Sequence, residues 1–395
     1  MQFQVLDIKD QCIGVYVDGD LRYDRQCLDG LHRTWGYANF LRDLDIEYAS
    51  LYCGGKTLEE MCPDHLRDDW EPAFNKLKAF YRAITEARID LNENCFYDLV
   101  PENFIKDFCE IKDKITTHVF ETHERPVNYD FLINLQEIIS DIKVRPLQLN
   151  FSNFRNRIFQ LQHKNWHEKL RSGRPYVDYN IFGTKTGRLT TKKFSFPVLT
   201  MPKEYRQIVE PTNHWFLELD FNSAEIRTLL ALSGLEQPED DIHDWNVKNV
   251  FGAGTTRNEA KTAIFAWLYN PTAKSAADNF YDKKKLLKKY WNGEQVETFY
   301  GKIIPSDEHH ALNYIIQSTT SDLFLRRMIE VNKILESSKS HIAFCVHDSL
   351  IIDLHEDDKH LVPEIKKTFS ETDLGVFKTN LSAGKNYGQL KELKI

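Results

Sequence analysis

The stretch HIAFCVHDSLIIDL, residues 341–354, decides the fold, because two apolar runs in it are joined by a short polar turn at His347 and Asp348. Runs of this length and composition predict the two strands of a hairpin. A further strand pattern lies earlier in the chain. There the segment WFLELD, residues 215–220, alternates in side-chain character and ends at Asp220. We therefore expect an apolar sheet that carries an aspartate at a strand end and another at a strand turn.

These two aspartates are candidate metal ligands. A charged group at the end of an apolar strand is costly to bury unless it is paired or binds a metal. Either residue alone could be a turn or capping aspartate. Together with the features below, Asp220 and Asp348 indicate the oxygen ligands of a pair of Mg²⁺ ions, which favour few carboxylates plus substrate phosphates. Two such ions promote in-line phosphoryl displacement.

The segment TTRNEAKTAIFAWLYNP, residues 255–271, predicts a helix that Thr255 or Thr256 caps and that ends at Asn270-Pro271. Four of its side chains are spaced by four and share one helical face: Arg257, Lys261, Phe265 and Tyr269. The basic half of this face suits the phosphates of a nucleoside triphosphate, and the aromatic half suits its sugar and base. The alternative is an amphipathic core helix whose cations reach solvent.

A third candidate element is the loop KTGRLTT, residues 185–191, which Lys192 and Lys193 follow. Gly187 allows close approach to a backbone, and the planar guanidinium of Arg188 can donate two hydrogen bonds to a phosphate or a groove edge. A plain surface turn is the alternative interpretation.

The composition is that of a folded protein large enough for two or three subdomains. Its 395 residues are 42% hydrophobic and 28% charged, with a formal net charge of −8. This charge does not exclude a nucleic-acid partner, because a binding channel needs only local basic density. Seven cysteines without a Cys-x-x-Cys pair argue against a zinc site and fit a cytosol-like compartment. Since neither a signal peptide nor a membrane span is expected, we predict a cytoplasmic protein.

Hydrophobic spacing divides the chain into helical and strand-rich regions. It predicts helices over 64–142 and 153–170, strands over 176–235, and helices again over 243–340. We infer an α+β architecture in which a mixed sheet is flanked by two mostly helical regions.

Several motifs occur in the order found in the family A DNA polymerases, the group of bacterial DNA polymerase I and related phage replicative enzymes. They are TGRL at 186–189, LDFNSAEIR at 219–227, DIH at 241–243, RNEAKTAIFAWLY at 257–269, NYIIQSTTSD at 313–322 and VHDS at 346–349. The chain resembles this family over about residues 110–395. The resemblance implies a right-hand polymerase fold with a mixed or antiparallel palm sheet, helical fingers and a helical thumb.

The resemblance also implies roles for individual residues. Asp220 and Asp348, with the backbone carbonyl of Phe221, would hold two Mg²⁺ ions, for which Mn²⁺ could substitute. The residues implied at the incoming nucleotide are His243, Arg257, Lys261, Phe265, Tyr269 and Glu225. The residues implied at the primer–template are Arg188, Asn313, Gln317, His347, Lys192 and Lys193.

Three of these roles are more specific. Lys261 is also a candidate catalytic proton donor to pyrophosphate. Glu225 occupies the steric-gate position, where it would exclude a ribose 2′-hydroxyl and bond to Tyr269. The lack of a hydroxyl on Phe265 implies discrimination against dideoxynucleotides.

The chain departs from the family pattern at several positions. Ser349 stands where the family has a glutamate, which implies slower or more metal-sensitive catalysis. Ala266 and Asn270 replace two family glycines, and PVLT at 197–200 replaces a polar segment that contacts the duplex. These replacements affect the expected template pocket and duplex contacts.

The resemblance assigns each part of the chain to a subdomain. The assigned parts are an N-terminal region of unknown role at 1–109, the thumb at 110–174, palm at 175–235, fingers at 236–309 and palm at 310–395. The first region is too small for a 3′–5′ exonuclease, so we expect a compact, phage-type DNA-directed DNA polymerase without one. Its expected partners are primer–template DNA and dNTPs, with any exonuclease, helicase or processivity factor on a separate chain.

Two alternatives stay open. A single-subunit RNA polymerase has a related palm, but Glu225 argues against it because an RNA polymerase must admit the 2′-hydroxyl. A catalytically impaired, polymerase-like DNA-binding protein is compatible with Ser349.

Overall fold

The structure is a computed structural model that describes residues 1–6, 14–89, 91, 94–152, 166, 168, 170, 174–252, 254–270 and 274–394. The chain divides into two compact units, Met1–Val144 and Arg145–Ile395. Most of the helix predicted over 153–170 lies outside the described residues.

The N-terminal unit combines short strands with long helices. Its strands are β1 Gln4–Val5, β2 Val15–Val17, β3 Asp20–Arg22, β4 Arg33–Thr34 and β5 Glu47–Tyr48. Its helices are α1 Ala49–Tyr52, α2 Leu58–Met61, α3 Arg67–Glu86, α4 Glu102–Thr122 and α5 Tyr129–Val144. The first three strands form an antiparallel sheet, and β4 pairs with β5 in parallel.

The expected boundary at residues 109 and 110 falls inside α4. Phe108 and Cys109 before the boundary, and Ile115 and Val119 after it, are buried in one hydrophobic cluster. Because one helical face buries all four, α4 cannot be divided there, and the compact unit extends to Val144.

The C-terminal unit is built on a five-stranded antiparallel sheet. Its strands are β10 Trp215–Phe221, β13 His341–Val346, β14 Ser349–Leu354, β17 Thr379–Gly384 and β18 Lys391–Glu392. Their spatial order is β13-β14-β10-β17-β18. The predicted strand at 215–220 and the predicted hairpin at 341–354 are confirmed, and every pair in this sheet is antiparallel rather than mixed.

The other elements of this unit are mainly helices. They are α6 Ala224–Leu232, α7 Ile242–Asn246, α8 Arg257–Tyr269, α9 Ala277–Phe280, α10 Lys283–Tyr290, α11 Glu308–Leu335 and α12 Val362–Ser370. The remaining strands form two-stranded pairs: β6 Gln148–Leu149 with β9 Val209–Glu210, β7 Tyr179–Asn180 with β8 Thr190–Thr191, β11 Gln295–Glu297 with β12 Ile303–Pro305, and β15 Glu371–Thr372 with β16 Gly375–Val376.

The region expected to be strand-rich, residues 176–235, contains both strands and a helix. After β10 the chain turns at Ser223, whose backbone is left-handed at φ 57°, and enters α6. Ile226, Leu229 and Leu230 are fully buried at helical spacing in the core that α6 shares with α8 and α11. Helical burial therefore overrides the strand interpretation at the end of this region.

The described helices contain no apolar stretch long enough to cross a membrane.

Candidate active site

The two predicted carboxylates meet at one end of the sheet. Asp220 lies opposite Ser349 in the register of β10 and β14, and Ser349 directly follows Asp348. His347 adopts a left-handed backbone at φ 57°, which closes the tight turn between β13 and β14. Burial, followed by the negative charges of Asp348 and Glu218, raises the pKa of Asp220 to about 7.

This crowding of negative charge fits a divalent cation. Across the sheet, Asn380 Nδ2 lies 3.5 Å from Asp220 Oδ2, at the limit of a hydrogen bond. No group of three or more His, Cys, Asp or Glu side chains within the described ranges is arranged to hold a metal alone. Magnesium is commonly held by one or two carboxylates together with substrate phosphates and water, so the donor set suits it. Phe221, whose carbonyl was predicted as a further ligand, is the last residue of β10.

A cleft of about 310 Å³ opens beside these carboxylates. It is lined by Arg188, Ser223, Ala224, Glu225, Phe265, Tyr269, His347 and Asp348. The cleft therefore joins residues from the TGRL loop, the start of α6, the exposed face of α8 and the β13–β14 turn.

Glu225 and Arg188 form an ion pair at one wall of the cleft. Burial raises the pKa of Glu225, although the neighbouring guanidinium opposes this shift. Thr186 donates a hydrogen bond of 3.0 Å to Gln317 Oε1, and Gln317 also hydrogen-bonds to Glu225. In the described contacts the partners of Glu225 are thus Arg188 and Gln317 rather than Tyr269, which lines the same cleft.

Helix α8 has both an exposed and a buried face. Its N-terminus is capped by Thr256, whose hydroxyl accepts from Glu259 N at 3.3 Å while Glu259 Oε2 accepts from Thr256 N at 2.8 Å. Its buried residues are Ala260, Ile264, Trp267 and Leu268. Arg257, Lys261 and Tyr269 are exposed, whereas Phe265 is partly buried and packs against this core. The Phe265 and Tyr269 rings stack with centroids 6.0 Å apart. The packing of one face agrees with the core-helix interpretation, while the nucleotide-binding interpretation of the other face stays a prediction.

Arg257 and His243 have protein partners in this structure. The Arg257 guanidinium donates to both carboxylate oxygens of Asp241. His243 is buried, its Nε2 lies 2.7 Å from Ser223 Oγ, and its Nδ1 has no partner among the described contacts. Burial lowers the pKa of His243 to about 4, so this imidazole is neutral at pH 7.

Sequence reasoning missed a buried hydrogen-bond network centred on Arg227 and Asn222. Arg227 is fully buried and donates to the carbonyls of Asn222, Pro238 and Asp240 at 2.8–2.9 Å. Asn222 Oδ1 accepts from Ile242 N at 3.0 Å, and its Nδ2 donates to Asp241 at 2.8 Å. These contacts fix the segment between α6 and α7. The one available signal was an arginine within the apolar pattern of the LDFNSAEIR segment.

The predicted DNA contacts fall into two groups. Arg188 and His347 line the cleft, Gln317 bonds to the TGRL loop, and Asn313 lies one turn before Gln317 on α11. Lys192 and Lys193 follow β8 and are not among the residues that line the cleft.

The two lysines have separate surroundings. Lys192 pairs with Asp178 at 3.1 Å, whereas Lys193 lies over the exposed ring of Phe194 at 5.1 Å. Of the predicted DNA-contacting residues, Arg188 and His347 line the cleft and these two lysines do not.

An antiparallel sheet with adjacent carboxylates, next to a helix that presents basic and aromatic side chains, defines the right-hand polymerase fold. A solved structure described as the POL domain of Pol1 from M. smegmatis, in complex with DNA primer-template and dNTP, matches this fold with a TM-score of 0.67. The match covers 98% of this chain and 95% of that chain at 11% sequence identity.

Sequence comparisons agree. Residues 297–389 match the family described as DNA polymerase family A. DNA polymerase I of Chloroflexus aurantiacus is 26% identical over 282 residues, which is 57% of this chain and 30% of that protein. The thermostable DNA polymerase I of Thermus filiformis is 23% identical over 278 residues, 56% of this chain and 33% of that protein. This chain thus spans about a third of the length of these curated relatives, and its resemblance to the family A DNA polymerases is confirmed.

Proposed function

We propose that this chain is a DNA-directed DNA polymerase, which adds dNTPs to a primer 3′ end under the direction of a template. The observation that carries this proposal is the position of Asp220 and Asp348 at one sheet end, beside a cleft walled by Glu225 and α8. The bound primer-template and dNTP named for the M. smegmatis neighbour support the same partners here.

The metal ligands in this proposal are Asp220, Asp348 and the carbonyl of Phe221. Two Mg²⁺ ions, or Mn²⁺ in their place, would activate the primer 3′ oxygen and stabilise charge on the leaving oxygen. The protein prepares this site by burying Asp220 and by holding it near Asp348, and both effects raise the pKa of Asp220.

Helix α8 binds the nucleotide through its exposed face. Arg257 and Lys261 donate to the triphosphate, and Lys261 Nζ gives a proton to the departing pyrophosphate. Phe265 and Tyr269, whose rings stack in line, pack against the sugar and base. Neutral His243 contributes a hydrogen bond rather than a charge, because its pKa is low.

Glu225 selects the sugar. Its side chain lies on the cleft wall and is held by Arg188, so a ribose 2′-hydroxyl would displace a paired, largely buried carboxylate. Arg188, Asn313, Gln317 and His347 contact the primer–template near the site, and Lys192 and Lys193 contact its backbone further away. We also propose that it acts in the cytoplasm, where an exonuclease, helicase or processivity factor is a candidate partner.

Primer extension with Mg²⁺ tests the proposal, using wild type, Asp348→Asn and the matched control Asp357→Asn, an exposed aspartate that pairs with Lys339. We expect wild type and control to extend with dNTPs and Asp348→Asn to lose at least about a thousandfold in rate. If wild type extends no primed template, the alternative of a catalytically impaired DNA-binding protein, with which Ser349 is compatible, would be favoured. Efficient use of rNTPs would favour an RNA polymerase.

A further inference from the structure

The side chain of Ser349 is hydrogen-bonded to a carboxylate on the neighbouring strand. Ser349 Oγ donates to Glu218 Oε1 at 2.9 Å. Ser349 stands at the position where the family pattern has a glutamate. A carboxylate therefore lies within one hydrogen bond of the position from which the family's acidic group is missing.

The strand register explains why Glu218 reaches this position. Glu218 lies two residues before Asp220 on β10, so both side chains project from the same face of the sheet. Ser349 is directly opposite Asp220, which makes Glu218 its diagonal neighbour across the β10–β14 pair. Glu218, Asp220 and Ser349 consequently share one surface of the sheet.

The two residues directly across from Glu218 carry no charge. They are Ile351 on β14 and Ser382 on β17. Glu218 is half-buried, as Asp220 is.

We propose that Glu218 replaces the missing glutamate as the third acidic group of the metal site, with Ser349 holding it in place. This inference rests on the proposed polymerase function for its context. Glu218 acts as a positioning residue, since its carboxylate adds negative charge beside Asp220 and Asp348 and favours a hydrated divalent cation there. Outer groups of this kind typically change metal affinity or activity by 10–100-fold when they are removed.

A purely structural role for the Ser349–Glu218 bond predicts a different outcome. In that case, loss of the bond lowers stability and leaves metal affinity unchanged. Metal binding, measured directly, separates the two roles.

The experiment is a Mn²⁺ titration followed by electron paramagnetic resonance, with primer–template bound and no nucleotide. The variants are Glu218→Gln and the exchange Glu218→Ser/Ser349→Glu, and the matched control is Glu297→Gln, an exposed glutamate on β11. We expect Glu218→Gln to weaken Mn²⁺ binding about tenfold and the exchange variant to stay within about threefold of wild type. The Mg²⁺ concentration for half-maximal single-nucleotide insertion should rise in parallel for Glu218→Gln.

Mn²⁺ affinity of Glu218→Gln within twofold of the wild-type value would overturn the proposal. If Glu218→Gln unfolds below the assay temperature, the exchange variant becomes the test. A folded exchange variant that has lost Mn²⁺ binding would also overturn the proposal. Primer extension by wild type is scored separately. If wild type extends primers while the Glu218 variants bind Mn²⁺ normally, only this inference fails. If wild type binds Mn²⁺ in a Glu218-dependent way but extends no primer, only the polymerase function fails.

Discussion

The guanidinium group of Arg257 donates two hydrogen bonds to Asp241, with Nε 3.0 Å from Oδ1 and Nη2 2.7 Å from Oδ2. Burial raises the pKa of Asp241, but hydrogen bonds from Arg257 and Asn222 outweigh this effect and hold the pKa well below its usual range. Asp241 also caps α7 by accepting from the backbone N–H groups of His243 and Asp244. Arg257, one of the two donors that the proposal assigns to the triphosphate, is thus occupied by a carboxylate.

A phosphate must compete with Asp241 for Arg257, so removal of that charge should favour nucleotide binding. We expect Asp241→Asn to lower the KM for the correct dNTP by about two- to fivefold, because an ion pair with an exposed arginine contributes at most about 1 kcal/mol. Single-nucleotide insertion kinetics measure the effect. Asp240→Asn is the matched control, since Asp240 pairs only loosely with Lys248 at 3.6 Å. A raised KM for Asp241→Asn would show instead that the carboxylate orients Arg257 for the triphosphate.

The sequence was sufficient for elements whose patterns are local. The β13–β14 hairpin follows from two apolar runs around a polar turn, and α8 follows from its cap and its spacing of four. The partners of Arg257 and Ser349 were not predictable in the same way. The first depends on the path of the segment between α6 and α7, and the second on the register of β10 against β14. Side-chain pairing across elements requires the tertiary fold, which periodicity does not contain.

Arg227 illustrates the same limit. An arginine within an apolar stretch predicts an exposed charge, yet this one is fully buried because backbone carbonyls of the following segment accept its hydrogen bonds. Desolvation lowers the pKa of Arg227 to about 10, which still leaves it charged at pH 7.

Substitution of Glu225 should relax selection against ribonucleotides. Glu225→Ala removes the side chain from the cleft wall, and we expect the ratio of rNTP to dNTP insertion efficiency to rise at least about tenfold. Glu225→Gln retains the volume and should keep most of the discrimination if the effect is steric. Competitive single-nucleotide insertion on one template measures both ratios. Equal relaxation in both variants would attribute selection to the ion pair with Arg188 rather than to volume.

Phe265 offers a second specificity test. Phe265→Tyr adds a hydroxyl on the exposed face of α8, where it can replace the hydrogen bond that a dideoxynucleotide lacks. We expect relative ddNTP incorporation to increase on the order of tenfold, in line with the free energy of one hydrogen bond to a charged group. Phe280→Tyr is the control, because Phe280 packs on Trp245 rather than in the cleft. Unchanged ddNTP selectivity would mean that residue 265 does not contact the sugar.

The buried imidazole of His243 should make the fold sensitive to acid. Burial is the main reason that its pKa falls to about 4; the charges of Arg257 and Lys261 also lower the pKa, and those of Asp241 and Asp244 oppose the shift. An unfolded histidine titrates near 6.5, so the unfolded state binds the proton more readily and the contribution of His243 to stability is lost as the pH falls from about 6.5 towards 4. Between pH 7 and pH 5 this amounts to about 2 kcal/mol. Asp241, whose pKa is lowered, contributes to acid sensitivity only below about pH 4, outside this window.

Urea unfolding at the two pH values measures this effect. Between pH 7 and pH 5 the free energy of unfolding should fall less for His243→Gln than for wild type. The exposed-site control His310→Asn should lose as much stability as wild type. Equal losses in wild type and His243→Gln would mean that this imidazole titrates normally in the folded protein.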